Sequence, residues 1–339
     1  MFNSKIEWCD HTVNFWTGCT KVSSGCANCY AESLDKRFYG GEHWGTGNYL
    51  PRLERAREEC LRIERRAAKD SKPVKVFVNS MSDWLDSGVP IEWLAWLLDT
   101  IRMCPHVTFL CLSKRIDQWL DRMEKLHSHL LRECERIDGW HPLLGSPDFA
   151  KEAGDGMLER WVGWNEPPAN VWIGCTVENQ EMADKRIPWL LQVPATKHFI
   201  SYEPALGPVD AEFYLKPLAH IPGNEFGWSK GIDWVICGGE SGPNARPMHP
   251  DWAQSLRDQC KAAGVPFFFK QWGAWAPVEV EDRRLGEDRS VGHVVDVLPS
   301  GEVLDGRDSS IHADAMERVG KARAGHLLDG VEHHEFPNI

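Results

Sequence analysis

Six short apolar runs, each followed by a helical pattern, are the feature that most constrains the fold. The runs cover residues 74–78, 107–112, 171–175, 198–202, 233–237 and 266–269. They are continuous rather than alternating, which is typical of strands buried on both faces and therefore of a parallel sheet. A further strand near residues 12–17 would bring the count to six or seven. The sequence thus predicts an α/β fold, a partial (open) TIM-type barrel of six or seven parallel strands.

The barrel pattern is interrupted once and ends near residue 273. We expect a barrel domain over residues 1–273, with a helical insertion at about residues 138–169, where Gly, Pro and Trp break the rhythm. Residues 274–339 are predicted to be a C-terminal extension that packs on the barrel. Within it, residues 293–304 predict a hairpin and residues 310–328 a final helix.

A polar or Gly-rich cluster follows each apolar run. Since right-handed crossovers bring the carboxyl ends of parallel strands to one rim, these clusters are expected to meet there. Ligands of α/β barrels bind at this rim, so the sequence predicts a binding site. The clusters are Asn79–Asp83, Ser113–Arg115, Thr176–Asn179, Glu203, Gly238–Ser241 and Lys270–Gln271.

Cys19, Cys26 and Cys29 lie near the N-terminus at the spacing C-x6-C-x2-C. Three thiolates with no obvious fourth ligand suit a cubane iron–sulfur cluster that leaves one iron open. The same residues with His11 or His43 would form a Cys3His zinc site, and free cysteines are often merely small buried hydrophobes. The spacing alone leaves all three interpretations open. The expected position at a barrel rim favours the cluster, because a structural zinc loop has no reason to lie at the mouth of a pocket.

Composition restricts the partners. A net charge of -12 over 339 residues argues against a surface that coats phosphates in general, although a local basic groove is compatible with it. The eleven cysteines are odd in number and no signal peptide is present, which favours a reducing cytoplasm. No apolar run approaches the roughly 20 residues needed to span a bilayer, so we expect no membrane contact.

Several stretches resemble a known family, the three-cysteine phage and prophage proteins of unknown function that are regarded as relatives of radical S-adenosylmethionine enzymes. The resemblance covers nearly the whole chain. It implies a [4Fe-4S] cluster on the three cysteines, S-adenosylmethionine across the strand ends, and the host cytoplasm if the protein is phage-encoded. The stretches are Gly18–Ser23, Gly25–Cys26, Cys29–Glu32, Asn79–Asp83, Ser201–Pro204, Gly238–Met248, Phe267–Gly273 and Gly320–Pro337.

The sequence departs from the general radical pattern in two respects. That pattern is C-x3-C-x2-C with an aromatic residue before the third cysteine, whereas Asn28 holds this place here and Tyr30 is expected to make the adenine contact. The usual Gly-Gly-Glu after the second strand is replaced by the polar cluster that begins at Asn79. The Gly-Gly-Glu at residues 238–240 follows a later strand, so that role is not transferred to it.

The resemblance and the rim together assign candidate roles. Cys237, Glu203 and Tyr202 are the catalytic candidates, with Cys237 as the hydrogen-atom donor. The expected cofactor-binding residues are Tyr30, Asn79, Ser80, Ser82, Asp83, Ser113, Lys114, Glu178, Gly238 and Gly239. The expected substrate-side residues are Arg115, Glu240, Arg246, Lys270, Gln271 and Trp272.

The function predicted from the sequence is radical chemistry on a C–H bond. The family's phage association suggests an isomerase that rearranges an amino-acid-modified thymine during DNA hypermodification, with an electron donor such as flavodoxin or ferredoxin and a monomeric enzyme. Two rival functions remain, a radical lyase that repairs DNA and a non-catalytic, zinc-stabilised module that binds nucleic acid.

Overall fold

The computed structural model describes residues 4–45, 47–137, 139, 141–144, 156–216, 231–278, 293–304 and 313–338. Its strands up to residue 271 are β1 (His11–Val13), β2 (Trp16–Thr17), β3 (Leu50–Pro51), β4 (Val74–Val78), β5 (Val107–Ser113), β6 (Val171–Thr176), β7 (Lys197–Tyr202), β8 (Trp234–Gly238) and β9 (Phe267–Gln271). The helices between them are α1 (Tyr30–Tyr39), α2 (Leu53–Asp70), α3 (Ile91–Arg102), α4 (Trp119–Ile137), α5 (Met157–Gly163), α6 (Gln180–Leu190), α7 (Glu212–Leu215) and α8 (Pro250–Ala263).

Seven strands form one parallel sheet in the order β1-β4-β5-β6-β7-β8-β9. Because this order follows the chain without reversal, the sheet is wound in one direction, as in a TIM barrel, and has no switch point of the doubly wound kind. The sheet remains an open half-barrel flanked by helices. The predicted fold class is confirmed.

Both faces of the sheet are buried, which is why its strands read as continuous apolar runs. On the convex face the strands pack against helices whose apolar residues recur every three or four positions, such as Ala56, Cys60 and Ile63 of α2. Alternate side chains point to the concave face, where Phe77, Leu110, Trp172, Phe199, Trp234 and Phe268 form a second cluster. The half-barrel is thus filled by side chains toward its amino-terminal end.

The two ends of the chain help to close the concave face. The Trp8 ring lies 4.6 Å from that of Phe77. Near the C-terminus, the Phe269 N–H donates to the His333 carbonyl at 2.7 Å, which covers the edge of β9. The Phe336 ring lies 5.2 Å from that of Trp234.

A second, antiparallel sheet begins at residue 275. Its strands are β10 (Trp275–Pro277), β11 (Val294–Val297), β12 (Val303–Leu304) and β13 (Asp314–Arg318), in the order β10-β13-β11-β12. The chain ends with α9 (Lys321–Ala324) and the short pair β14 (Leu327–Leu328) and β15 (Val331–Glu332). The hairpin predicted over residues 293–304 is confirmed. The division of the chain into domains stays a prediction.

The final helix predicted over residues 310–328 is wrong for most of the described residues, because only Lys321–Ala324 are helical and Asp314–Arg318 form a strand. Ala315 and Met316 favour helices, but here they are buried in β13 between β10 and β11. Tertiary pairing therefore overrides local propensity. Of the helical insertion predicted at residues 138–169, the structure describes α5, which packs on α4 with the Trp119 and Trp161 rings 5.8 Å apart; residues 138, 140 and 145–155 lie outside the described residues. No helix in the described ranges is long and apolar enough to cross a membrane.

Candidate functional site

A cavity of about 460 Å³ lies at the carboxyl ends of β4 to β9. Its volume is within the range of pockets that enclose a small-molecule ligand. The wall combines the loop that carries the three cysteines, the polar residues at the strand ends and an apolar floor. The floor is formed by Ile6, Trp8, Phe77 and Leu112.

The cysteine loop runs from β2 to α1 and brings all three thiols to this cavity. Gly18 starts it with a φ of +119°, a conformation that favours glycine, and a Cβ there would lie 2.4 Å from the His43 carbonyl oxygen. A single 3-10 turn, Ser24–Cys26, then turns the chain. Cys29 is the residue immediately before α1.

Burial keeps two of these thiols protonated. Desolvation, together with the Asp83 carboxylate, raises the pKa of Cys19 to about 12, although Arg115 opposes this. Desolvation also raises the pKa of Cys29, against the N–H groups of Glu32 and Ala31 at the start of α1. Such thiols become thiolates when a cationic centre replaces their protons.

The three cysteine sulfurs do not form a compact set of ligand atoms in the metal-free structure. A tetrahedral zinc with Zn–S bonds of about 2.3 Å holds its sulfurs about 3.8 Å apart. Among the described residues, the one set of three His, Cys, Asp or Glu ligand atoms lying within 4.8 Å of one another is His249, Asp251 and Asp314. At least one pair of the cysteine sulfurs is therefore separated by more than 4.8 Å.

Arg115 anchors the first part of the cysteine loop. Its guanidinium lies 3.5 Å from the Cys19 sulfur and donates to the Thr20 carbonyl at 2.7 Å. The carboxylates of Asp83 and Asp86, each 3.1 Å from it, balance its charge. Asp83 also accepts from the Ser113 hydroxyl at 2.7 Å and from the Lys114 N–H at 2.9 Å. The buried side chains of Asp83 and Arg115 thus hold the loop.

Glu178 anchors the middle of the loop. It is fully buried, accepts from the Ser23 hydroxyl at 2.7 Å, and is paired with Arg186 at 2.8 Å. Gly25 packs directly against it, since a Cβ on Gly25 would lie 2.4 Å from a Glu178 carboxylate oxygen. The Lys114 ammonium is 3.7 Å from the same carboxylate.

Glu240 and Arg246 anchor the last part of the loop. Glu240 accepts from the Asn28 amide at 2.9 Å and from Arg246 at 2.6 Å, and Arg246 donates to the Ser24 carbonyl at 3.0 Å. Burial raises the pKa of Glu240, but the hydrogen bonds from Arg246 and Asn28 outweigh it and hold that pKa below its usual value. Three separate ion pairs at the ends of β5, β6 and β8 therefore fix the cysteine loop.

Other residues that the sequence predicted for the site also line the cavity. Glu203 and Lys270 line it together, as an ion pair 2.6 Å long. The Tyr30 hydroxyl donates to the Ser80 carbonyl at 2.6 Å. Asn79 is 2 % exposed, has a φ of +58°, and leaves its side-chain N–H group without a partner among the described residues. Ser82, Ser113, Lys114, Gly239 and Gln271 also line the cavity.

A third set of predicted residues is not part of the cavity wall. Cys237 is fully buried, and desolvation raises its pKa well above the usual value, as expected for a packed thiol. The Tyr202 hydroxyl donates to the Gly207 carbonyl, and the Trp272 indole donates to the Leu327 carbonyl at 2.8 Å. Gly238, Glu178 and Arg246 are not lining residues either. The catalytic roles of Cys237 and Tyr202 stay predictions and gain no geometric support.

The sequence reading missed several residues that shape the site. Arg115 is paired with Asp86, and Glu178 with Arg186. Glu240 accepts from Asn28, and Trp8 forms part of the cavity floor. Asp86 was accessible to sequence reasoning, because it follows the recognised cluster by three residues. Arg186 could not be recognised from the sequence, because an arginine in a helix that contains both polar and apolar residues is expected to be exposed to solvent.

Comparison with protein-family models assigns the chain to one family. A family model described as "Protein of unknown function (DUF5131)" matches residues 3–337, and the chain belongs to this family. The expected membership of a family of unknown function is confirmed, whereas the relationship to radical S-adenosylmethionine enzymes stays a prediction. No curated protein and no solved structure matches the chain.

Proposed function

We propose that this protein is a radical S-adenosylmethionine enzyme that binds a [4Fe-4S] cluster through Cys19, Cys26 and Cys29. The observation that carries the proposal is the convergence of three thiols on one cavity at the carboxyl rim of an open half-barrel. When bound, the cluster and S-adenosylmethionine would supply one-electron cleavage of the sulfonium and a carbon-centred radical.

The wall of the cavity fits a zwitterionic cofactor. The Lys114 ammonium is a partner for a carboxylate, while the side-chain N–H group of Asn79, which has no partner among the described residues, offers a buried donor. Buried donors without a partner are rare in folded proteins and often mark a ligand site. The Tyr30 ring stands at the wall, where it can cover a flat adenine.

The chain's own residues also protect such a site. The apolar floor that includes Trp8 and Phe77 excludes water from the end of the cavity within the half-barrel. The ion pairs of Arg115, Glu178 and Glu240 hold the cysteine loop before any ligand is bound. Preorganisation of this kind reduces the free-energy cost of assembling the site.

For the substrate, we propose a modified thymine in DNA, in keeping with the resemblance described above. Extracting a base from the stack costs a few kcal/mol. Three of the cations predicted on the substrate side, Arg115, Arg246 and Lys270, already pair with carboxylates of the chain. This leaves few charges for the phosphates, so the base itself would make most of the contacts. Glu203 and Lys270 offer it an acceptor and a donor side by side.

The test is metal analysis of the protein purified and reconstituted without oxygen. We expect a brown protein with about four irons per chain. Cys26→Ala is expected to lose the cluster, because two thiolates do not hold a cubane. Cys134→Ala, which removes a partly exposed thiol of α4 outside the cavity, is the matched control and should retain it.

Reduced, loaded protein should also release 5′-deoxyadenosine from S-adenosylmethionine. Mass spectrometry of DNA nucleosides from cells with and without the protein then tests the substrate. One zinc per chain and no iron would overturn the proposal in favour of the zinc-stabilised module.

A further inference from the structure

Arg115 lies against one of the three sulfurs of the cysteine loop. Its guanidinium donates an N–H to the Cys19 sulfur at 3.5 Å. The Cys26 sulfur is approached by a neutral group instead, the Ser23 hydroxyl, at 3.8 Å. A positive charge is thus in direct contact with Cys19, whereas this contact at Cys26 is neutral.

The other contacts of the guanidinium hold it in this position. The nitrogen that donates to Cys19 also donates to the Asp83 carboxylate at 3.1 Å. The second terminal nitrogen donates to the Thr20 carbonyl at 2.7 Å and lies 3.1 Å from the Asp86 carboxylate. Because the guanidinium is a rigid planar fork, acceptors at both terminal nitrogens leave it little freedom to turn away from the sulfur.

Burial strengthens the effect of this charge on the sulfur. Arg115, Asp83 and Asp86 are 8 %, 6 % and 3 % exposed. Charges act on their neighbours more strongly in such surroundings than in water, because the effective dielectric constant is lower. An arginine also stays protonated in proteins, so its N–H groups remain donors. The guanidinium is therefore a fixed, charged donor to Cys19.

We propose that Arg115 raises the reduction potential of the cluster by donating a hydrogen bond to the Cys19 thiolate that ligates it. The inference rests on the proposed function, since it needs the cluster which that function requires. On reduction, one electron passes from an external one-electron reductant to the cluster, no bond forms or breaks, and no proton moves. Hydrogen bonds to the sulfurs and nearby charge are among the factors that set a cluster potential. Both favour the reduced cluster here, because it carries one more negative charge.

A purely structural role of Arg115 predicts a shift of the opposite sign. The guanidinium also holds the Thr20 carbonyl, so its removal loosens the start of the cysteine loop and admits water. Water favours the more highly charged, reduced cluster, because burial disfavours charge. Loosening of the loop alone therefore raises the potential, whereas loss of the charged donor lowers it.

The test is an anaerobic potentiometric titration of the reconstituted full-length protein. Dithionite is the reductant, and the electron paramagnetic resonance (EPR) signal of the reduced cluster is the readout. The variant is Arg115→Gln, and iron and sulfide analysis first establishes that it holds the cluster. The control is Arg57→Gln, since Arg57 is also paired with a carboxylate, that of Asp99 at 2.7 Å, but does not line the cavity.

We expect Arg115→Gln to lower the equilibrium constant for reduction at least about tenfold, which corresponds to a potential about 59 mV more negative for one electron. Arg57→Gln should have the potential of the parent. Arg115→Lys retains the positive charge without the fork, so its potential should lie between those of the parent and Arg115→Gln.

An unchanged or raised potential in Arg115→Gln would overturn the inference and leave the proposed function intact. If this variant holds no cluster, pulsed EPR of the reduced parent labelled with ¹⁵N-arginine decides, because a nitrogen hydrogen-bonded to a cluster ligand couples to the unpaired spin. A spectrum without arginine coupling would then overturn the inference. A parent protein without iron refutes the proposed function, and this inference falls with it.

Discussion

Replacing Gly25 by alanine tests whether the buried ion pair of Glu178 positions the cysteine loop. The added Cβ would lie 2.4, 2.5 and 2.7 Å from three atoms of the Glu178 side chain, whereas ordinary contacts begin at 3.4 Å. The loop or the carboxylate must therefore move by about 1 Å. Glu178 has little freedom to do so, because Arg186 and Ser23 hold it at 2.8 and 2.7 Å.

The expected magnitude follows from this displacement. Overpacking of this kind costs about 1–3 kcal/mol in the free energy of unfolding. Cys26, the next residue, would move with the loop, while metal–ligand distances tolerate only about 0.2 Å. We thus expect Gly25→Ala to fold, to lose about 1–3 kcal/mol of stability, and to retain less than half of the iron of the parent.

The assay pairs urea unfolding with iron and sulfide analysis after anaerobic reconstitution. Gly163→Ala is the matched control, because a Cβ there meets no atom within 4 Å and alanine suits the end of α5. A Gly25→Ala protein with full iron content and unchanged stability would refute the positioning role of Glu178.

Two further predictions concern the thiols and the substrate. In iron-free protein, the rate of alkylation of Cys19, followed by peptide mass spectrometry, should still rise about tenfold per pH unit at pH 10, since its pKa is about 12 and the thiolate fraction rises with pH; a plateau above pH ~9.5 would indicate an ordinary thiol. Three cavity-lining cations, Lys5, Lys114 and Lys321, have no ion-pair partner closer than 3.7 Å among the described residues. Fluorescence anisotropy with a DNA oligonucleotide should therefore give a log–log salt slope of about -3, and a slope of about -6 would contradict this expectation.

The parallel sheet and the position of the site could be predicted from the sequence because both follow from where apolar runs begin and end. Strands buried on both faces must be apolar throughout, and Val171–Thr176 is buried at every position. The polar clusters then follow directly, because a chain that leaves a parallel sheet at its rim meets solvent or a ligand. The cysteine loop was expected at the same rim because the first strand precedes it, and the structure places it there.

The directions in which the charged side chains at the carboxyl ends of the strands point could not be predicted from the sequence. The sequence assigns Arg115, Glu240 and Arg246 to the substrate side, and in the structure each of them also contacts the cysteine loop. A local pattern does not tell whether a charged side chain points into a cavity or to a neighbouring loop. That choice depends on partners far away in sequence, such as Asn28 and Glu240, which are 212 residues apart.

The ion pairs at the carboxyl ends of the strands are better explained by a role in positioning the cysteine loop than by a contribution to the stability of the fold. A buried ion pair often contributes no more to stability than apolar residues of the same volume, since desolvation offsets the attraction between the charges. Glu178 and Arg186, with side chains 0 % and 4 % exposed, are therefore an inefficient way to stabilise a barrel. They do give the Ser23 hydroxyl and Gly25 a single place to pack, through directional hydrogen bonds that apolar residues lack. Val22, the one large apolar residue of the cysteine loop, is 43 % exposed and does not anchor it, so charged partners from the strand ends fix the three thiols.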